Sequence, residues 1–273
     1  MNIKDIKIKI HEKWHNLEQR GGKLYQYRTC TDYNLDNLFN GTVTLNRISS
    51  FNDFLEGRFG YSLEYIVKTS RYGEILSREI IDEIVEANFT ANKEHTYACC
   101  LSESNISTLM WAHYADNLTG YIVEYDYNLT YEIIQQQNAA IYPILYSADK
   151  IDFSEVFVKL IDTYMENQSE GKDALIAEQQ ALIMSNQNLP QEAEFVNIMK
   201  DNDWGYESEW RILTTNIENL ERIPIKVKPI SIYLGSKMKT KDIQQLISIS
   251  QTKGLSVYKM STSVNGISFS KVD

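Results

Sequence analysis

The chain has 273 residues and a formal net charge of −10, and 43% of its residues are apolar, 11% aromatic and 23% charged. This composition is typical of a globular protein with one large core or two modest ones, and it excludes a collagen-like, disordered or low-complexity chain. The acidic balance predicts a surface that repels phosphate backbones, so we expect no binding to generic duplex DNA.

The N-terminal ten residues alternate charged and apolar side chains, and they indicate either an opening strand or a helix. The period-two and apolar patterns then predict strands over residues 24–29 and 42–47. A short helix over 34–41 lies between them, and Gly41 is its expected stop. Further on, Asp53 is expected to cap a helical turn with Glu56 as its reciprocal partner. Apolar residues at three- and four-residue spacing predict a longer helix over 74–93.

The middle of the chain holds apolar, β-prone segments separated by a short helix. Strands are predicted over residues 95–103, 120–127 and 141–147, with the helix over 107–116. From residue 153 to about 201 the pattern becomes helical, with helices over 153–165, 173–185 and 191–201. Polar turns are expected at 166–172 and 186–190.

After this block the pattern predicts strands again. They are expected near residues 223–228, 230–235, 255–260 and 264–271, with one helix near 240–252. Strand material therefore lies on both sides of the helical block, which indicates an insertion in one domain. We expect a single α+β domain over residues 1–273 with a mixed, mainly antiparallel β-core and a helical insertion at about 153–201.

Cysteine usage indicates a reducing compartment. Cys30, Cys99 and Cys100 make an odd count, and adjacent cysteines rarely form a disulfide with each other. No CxxC spacing occurs, and no metal site is predicted. There is no signal-like segment and no apolar run of about 18 residues, so we expect a cytoplasmic protein without a membrane partner.

The segment WGYESEWRILT over residues 204–214 carries the most informative chemistry. If it is a strand, Glu207, Glu209 and Arg211 share one face. Trp210 and Ile212 then lie on the other face and pack into a core. Two carboxylates held together on one edge suit chemistry that develops positive charge.

A simpler interpretation is a solvated acidic strand end in which Glu209 pairs with Arg211. The two interpretations differ in the expected effect of Glu209→Gln. A glutamate that faces a cleft should tolerate this change with a loss of stability below ~0.5 kcal/mol. A glutamate that only pairs with Arg211 should affect stability alone.

Four blocks in this order resemble a large uncharacterised bacterial family, which is known only as a domain of unknown function. They are YQYR at 25–28, FNDFLE at 51–56, LMWAHYAD at 109–116 with YIVEYD at 121–126, and YESEWR at 206–211. This resemblance covers nearly the whole chain, but it implies no activity.

A more distant likeness, to the ADP-ribosyltransferase superfold, does imply an activity. It rests on a first strand that ends in a basic residue, a helix closed by glycine, an aromatic-rich middle and a late E-x-E at a strand start. The likeness implies NAD as the substrate, a macromolecular acceptor of unknown identity, and a setting in bacterial conflict or phage defence.

The same likeness implies roles for individual residues. Glu209 would stabilise the oxocarbenium-like charge that forms when the nicotinamide–ribose bond breaks, and Glu207 would orient or deprotonate the acceptor. Arg28 would bind the pyrophosphate, unless it only pairs with a nearby carboxylate. The remaining residues expected to line the nucleotide site are Tyr27, Tyr61, His113 and Tyr114.

Two other functions stay open. One is a hydrolase built on the two glutamates or on His113 and Asp116, which lie three residues apart on the predicted helix. A histidine beside apolar residues is, however, more often a packed, hydrogen-bonded core residue. The other is a non-catalytic ligand-binding or sensor domain that uses a tyrosine-lined cleft. Cys99 and Cys100, inside an apolar strand, are expected to be inert small hydrophobes.

Overall fold

The computed structural model describes residues 3–53, 60–169, 195–216, 218 and 220–272. These residues divide into two compact units. The first unit lies within residues 1–9, 48–96 and 145–201, and the second lies within 10–47, 97–144 and 202–273. The single domain expected over residues 1–273 stays a prediction.

The described residues form α-helices with the following bounds: α1 Ile3–Gln19, α2 Asp32–Asn40, α3 Leu63–Thr69, α4 Arg78–His95, α5 Thr108–Tyr114, α6 Tyr127–Gln135, α7 Ser154–Ser169 and α8 Thr240–Lys253. Short 3-10 turns occur at Ile48–Ser50 and Asn202–Glu207. Several helices begin at a side-chain cap. Thr31, for example, accepts the N–H of Asn34 at the start of α2, and Gly41 ends that helix in the left-handed conformation, with φ of 61°.

The strands have these bounds: β1 Lys23–Arg28, β2 Thr42–Arg47, β3 Thr96–Ser102, β4 Tyr121–Asp126, β5 Ala140–Pro143, β6 Leu145–Tyr146, β7 Met199–Lys200, β8 Glu209–Thr215, β9 Arg222–Lys226, β10 Pro229–Leu234, β11 Ser256–Ser263 and β12 Gly266–Val272. The main sheet has the order β12-β11-β10-β4-β1-β3-β2-β9, and β8 pairs with both β3 and β5. Its described ladders are antiparallel except for β10–β11, which is parallel and is connected through α8. The fold class is therefore α+β with a mixed, mainly antiparallel sheet, as expected.

The two faces of the main sheet in the second unit carry different cores. Leu24, Val123 and Trp210 belong to the main core, whereas Tyr25, Ile122 and Tyr233 belong to a smaller aromatic cluster. Adjacent residues of one strand fall into different clusters because strand side chains alternate between faces. Helix α5 packs on β1 and contributes Met110 and Trp111 to the aromatic cluster.

The first unit has a core of its own. Helices α3, α4 and α7 pack together, and Ile66, Ile81 and Phe157 are buried among the side chains of this unit. The predicted helix over 74–93 is confirmed as α4. Helix α3 was not predicted, because its seven residues are too short for a clear period.

The helical block at 153–201 is confirmed only in part. Helix α7 runs to Ser169, through the turn expected from residue 166. The helix predicted over 191–201 is wrong at its end, because Met199–Lys200 forms a strand that pairs with β6 in parallel. The helix predicted over 173–185 and the turn at 186–190 lie outside the described residues, as does Glu56.

Candidate functional site

The two glutamates of the YESEWR segment do not alternate along one strand, and that part of the prediction is wrong. Glu207 ends the 3-10 turn Asn202–Glu207, and β8 begins only at Glu209. Ser208 between them has a positive φ of 44°, so the chain turns sharply here. The rest of the prediction is confirmed, since Trp210 and Ile212 lie in the main core. Trp210 also donates its indole N–H to Glu103 Oε1 at 2.8 Å.

Glu209 and Arg211 form a buried ion pair. Arg211 Nε donates to Glu209 Oε1 at 2.6 Å, and an Nη2 hydrogen bond to Oε2 measures 3.1 Å. The residues are only 2% and 0% exposed. The simpler interpretation of the sequence is therefore right that Glu209 pairs with Arg211, but wrong that the pair is solvated. Because both charges are out of water, the pair holds the carboxylate in one orientation.

Glu207 is also buried, and it is held from a different element. The phenol of Tyr114, the last residue of α5, donates to Glu207 Oε1 at 2.5 Å. On the backbone side, Ser102 at the end of β3 donates its hydroxyl to the Glu207 carbonyl at 2.6 Å. The structure thus brings together two residues predicted for the site, Tyr114 and Glu207. Ser102, which holds the Glu207 backbone, was not predicted as a site residue.

Cys100 lies next to the buried pair and was missed as a site residue. It is exposed to solvent, whereas Cys99 before it belongs to the main core. Although the residue is exposed, protein atoms surround its thiol closely. This desolvation and the hydrogen-bonded Glu209 carboxylate raise its pKa well above the usual value. Cys99 lies in the main core as expected, whereas Cys100 lies on the exposed face of the strand. The raised pKa keeps both thiols protonated, which agrees with the expectation of inert thiols.

Arg28 lies at the end of β1, where it is partly buried. Its guanidinium donates to the Asn34 side-chain oxygen at 3.1 Å. The thiol of Cys99 is within electrostatic reach of both Arg28 and Glu209. Burial raises the pKa of this thiol to about 11, the Arg28 charge opposes the increase, and the Glu209 charge adds to it. The charges of Arg28 and Glu209 therefore both act on the Cys99 thiol of β3, in opposite directions.

Tyr27 alternates with Arg28 along β1 and lies in the aromatic cluster. Its hydroxyl donates to the Ser104 carbonyl at 2.8 Å, and its ring meets that of Trp111 edge-on, with centroids 5.5 Å apart. Burial raises the pKa of the Tyr27 phenol. The phenol is thus committed to a backbone partner, and it packs against α5.

Tyr61 lies in the first unit. Its hydroxyl donates to Asp82 Oδ1 at 3.0 Å, and its ring contacts that of Phe157, with centroids 6.0 Å apart. Tyr61 was predicted at the nucleotide site only because it is a tyrosine.

The His113–Asp116 pair does not form as the sequence predicted. Helix α5 ends at Tyr114, and Asp116 lies beyond it with a positive φ of 48°. Its carboxylate accepts the Thr119 hydroxyl at 2.7 Å instead. His113 is exposed, and its ring lies 6.4 Å from that of Tyr206. A period-3.6 face cannot be extended past the end of a helix, which is why the two side chains separate.

Glu124 gives a second buried carboxylate, and the sequence offered no partner for it. It is 1% exposed. Lys23 Nζ contacts its Oε1 at 2.8 Å, and the Tyr233 hydroxyl donates to its other oxygen. Desolvation and the Glu124 carboxylate raise the pKa of Tyr233, so this phenol remains a donor. A buried carboxylate paired with a cation thus occurs twice in the described residues, at Glu209 and at Glu124.

No group of three or more His, Cys, Asp or Glu side chains within the described ranges is placed to hold a metal ion. None of the helices in the described part of the chain is both long enough and apolar enough to cross a bilayer.

One family model matches the chain. It is described as a protein of unknown function (DUF2971), and the match covers residues 110–212. This confirms the resemblance to an uncharacterised family of unknown function. The matched region includes most of α5, all of β4 and the segment with both glutamates. No curated protein and no solved structure was found to match.

Proposed function

We propose that this chain uses NAD as a substrate, cleaves its nicotinamide–ribose bond and passes the ADP-ribosyl group to an acceptor. The observation that carries the proposal is the buried, ion-paired Glu209 beside the solvent-accessible Cys100. An adjacent guanidinium favours the ionised form of a carboxylate. A fixed anion of this kind stabilises a developing oxocarbenium charge without reorganising during the reaction.

Glu207 would act on the acceptor. The Tyr114 hydrogen bond fixes one of its oxygens and leaves the side chain in a single orientation. A carboxylate held in this way can orient an acceptor hydroxyl or amine for attack on the ribose carbon. Arg28 would bind the pyrophosphate, since it is half-buried and its neighbour Asn34 already orients the planar guanidinium.

A specific observation favours a second candidate, a ligand-binding domain of the same fold that has no turnover. Arg211 neutralises Glu209 at 2.6 Å, and this compensation weakens the field that the carboxylate can apply to a cationic transition state. A hydrolase built on His113 and Asp116 has less support, because Asp116 pairs with Thr119.

The test measures nicotinamide release from millimolar NAD by the purified protein and by three variants. Glu209→Gln should reduce release by ~100-fold or more, the scale expected when an electrostatic stabiliser is lost. Glu207→Gln should spare hydrolysis and impair transfer to an added acceptor. Glu124→Gln is the matched control. It also removes a buried carboxylate that is paired with a cation, but Glu124 has no proposed part in binding or cleaving NAD and the variant should retain activity per folded molecule.

Three outcomes separate the candidates. Nicotinamide release that depends on Glu209 and not on Glu124 supports the transferase. NAD that raises the melting temperature without being consumed supports the binding domain. A protein that neither binds nor consumes millimolar NAD contradicts both NAD-based candidates.

A further inference from the structure

Helices α2 and α8 enclose a groove on the second unit that the proposed function does not use. The α2 side consists of Asp32, Leu35, Asp36 and Phe39, which follow the i, i+3, i+4, i+7 spacing of one helix face. Ile249 and Lys241 line the α8 side, and the cavity has a volume of about 560 Å³. We call this feature the α2–α8 groove.

The floor of the α2–α8 groove is apolar, and its α2 rim is acidic. Leu35 is buried, but Phe39 is 45% exposed although the Lys253 ammonium lies 4.5 Å from its ring centroid. Asp32 and Asp36 are both exposed on the rim. Within the described part of the chain, no ion pair involves either carboxylate. The groove therefore suits a ligand that has two cationic side chains beside an apolar one.

Helix α1 carries a face with that pattern. Lys4, Lys7, Ile8 and His11 have the same i, i+3, i+4, i+7 spacing and are all exposed. Ile8 is 49% exposed, whereas Ile6 on the opposite side of the helix is fully buried. We call these four residues the α1 stripe. It is basic, although the chain as a whole carries a charge of −10.

We infer that the α2–α8 groove binds the α1 stripe of a second copy of this chain. Ile8 would lie between Leu35 and Phe39, and Lys4 and Lys7 would meet Asp32 and Asp36. Glu12 flanks the stripe and offers an opposite charge to Lys241 on the other rim. Two copies with a net charge of −10 each repel one another, so self-association requires local complementarity of this kind.

Each copy has one stripe and one groove. The contact thus joins two different patches of the chain, and a two-fold dimer would form it twice. The contact does not involve Glu207, Glu209 or Arg28, so it can be tested whether or not the chain consumes NAD.

The experiment measures the mass of the full chain by sedimentation equilibrium from micromolar to submillimolar concentration. Two double variants reverse the charges, Lys4→Glu with Lys7→Glu on the stripe and Asp32→Lys with Asp36→Lys in the groove. We expect the parent chain to dimerise and each variant to weaken its own dimer by roughly tenfold or more, the scale for like charges set against each other at a contact. An equimolar mixture of the two variants should dimerise again, because each stripe then meets a groove of opposite charge.

Far-UV circular dichroism checks that each double variant is folded. If a double variant does not fold, the corresponding single variant, Lys7→Glu or Asp36→Lys, takes its place. A parent chain that stays monomeric overturns the inference. It is also overturned if the dimer tolerates either reversal, or if the mixed variants fail to recover it. Recovery in the mixture, together with weaker association at high salt, supports it.

Discussion

The Glu209–Arg211 pair leads to a prediction about stability that is opposite to the one for a glutamate in an open cleft. Glu209→Gln keeps the size of the side chain but removes its charge, so the Arg211 guanidinium remains buried without its anion. Because the two residues are 2% and 0% exposed, hydration cannot compensate for that loss. Removing one partner of a buried ion pair costs about 3–5 kcal/mol, a large part of the 5–15 kcal/mol that stabilises a typical domain.

This free energy converts into a readily measured change. With a urea m-value of about 2 kcal/mol/M, a loss of about 4 kcal/mol lowers the unfolding midpoint by about 2 M. Unfolding is followed by circular dichroism and by tryptophan fluorescence, since Trp210 follows Glu209 and is fully buried. Glu221→Gln is the control, because Glu221 and Arg222 form an exposed pair at 3.3 Å, and its midpoint should not change.

The double variant Glu209→Gln with Arg211→Met tests the reason for the loss. Methionine removes the orphaned charge, so the double variant should recover a substantial part of the stability that Glu209→Gln loses. A Glu209→Gln midpoint within the equivalent of ~0.5 kcal/mol of the parent would contradict the buried pair. Glu209 would then behave as a solvent-exposed residue, as the sequence predicts for a glutamate that faces an open cleft.

Three further predictions concern other parts of the chain. A Cβ at Gly120 would lie 2.2 Å from the Arg28 carbonyl oxygen, so Gly120→Ala should lower the free energy of unfolding, measured in urea, by at least ~2 kcal/mol. Gly205→Ala is the control and should leave the stability unchanged, because no atom lies within 4 Å of the added carbon. Burial and the nearby Asp242 and Asp32 raise the pKa of Cys30 to about 11. Alkylation of Cys30, measured by peptide mass spectrometry, should therefore be about a hundredfold slower at pH 8 than alkylation of a free thiol, and its rate should increase up to pH 11. A rate for Cys30 like that of free cysteine would refute this. With a net charge of −10, the protein should not retard generic duplex DNA at physiological salt, and submicromolar, salt-dependent binding in a gel-shift assay would contradict this.

Local patterns predicted most of the secondary structure in the second unit. The alternation at 42–47 gave a strand with the observed bounds, and Gly41 ended the preceding helix as expected. These features depend on neighbours within a few residues, so the chain itself contains the information. Helix α6 was missed because the apolar strand β4 runs directly into it at Tyr127, and only the Asp126 cap marks the change.

The candidate site could be predicted only in its residue types. The sequence selected four residues that the structure joins in two separate hydrogen-bonded pairs, Tyr114 with Glu207 and Arg211 with Glu209. It could not give the positive φ of Ser208, which places the two glutamates on different elements. A single residue in the left-handed region shifts every later side chain to another face, and no period in the sequence reports it.

The sequence by itself determined most of the helices and strands, which of their faces are apolar, and that the fold is α+β. Tertiary structure alone decided which charges meet. Glu209 is near Arg211 along the chain, but their burial depends on β8 pairing with β3 and β5. Glu124 and Tyr233 are 109 residues apart and meet only because β4 pairs with β10. Periodicity is a property of neighbours, whereas the environment of a carboxylate is set by strands that are distant in sequence.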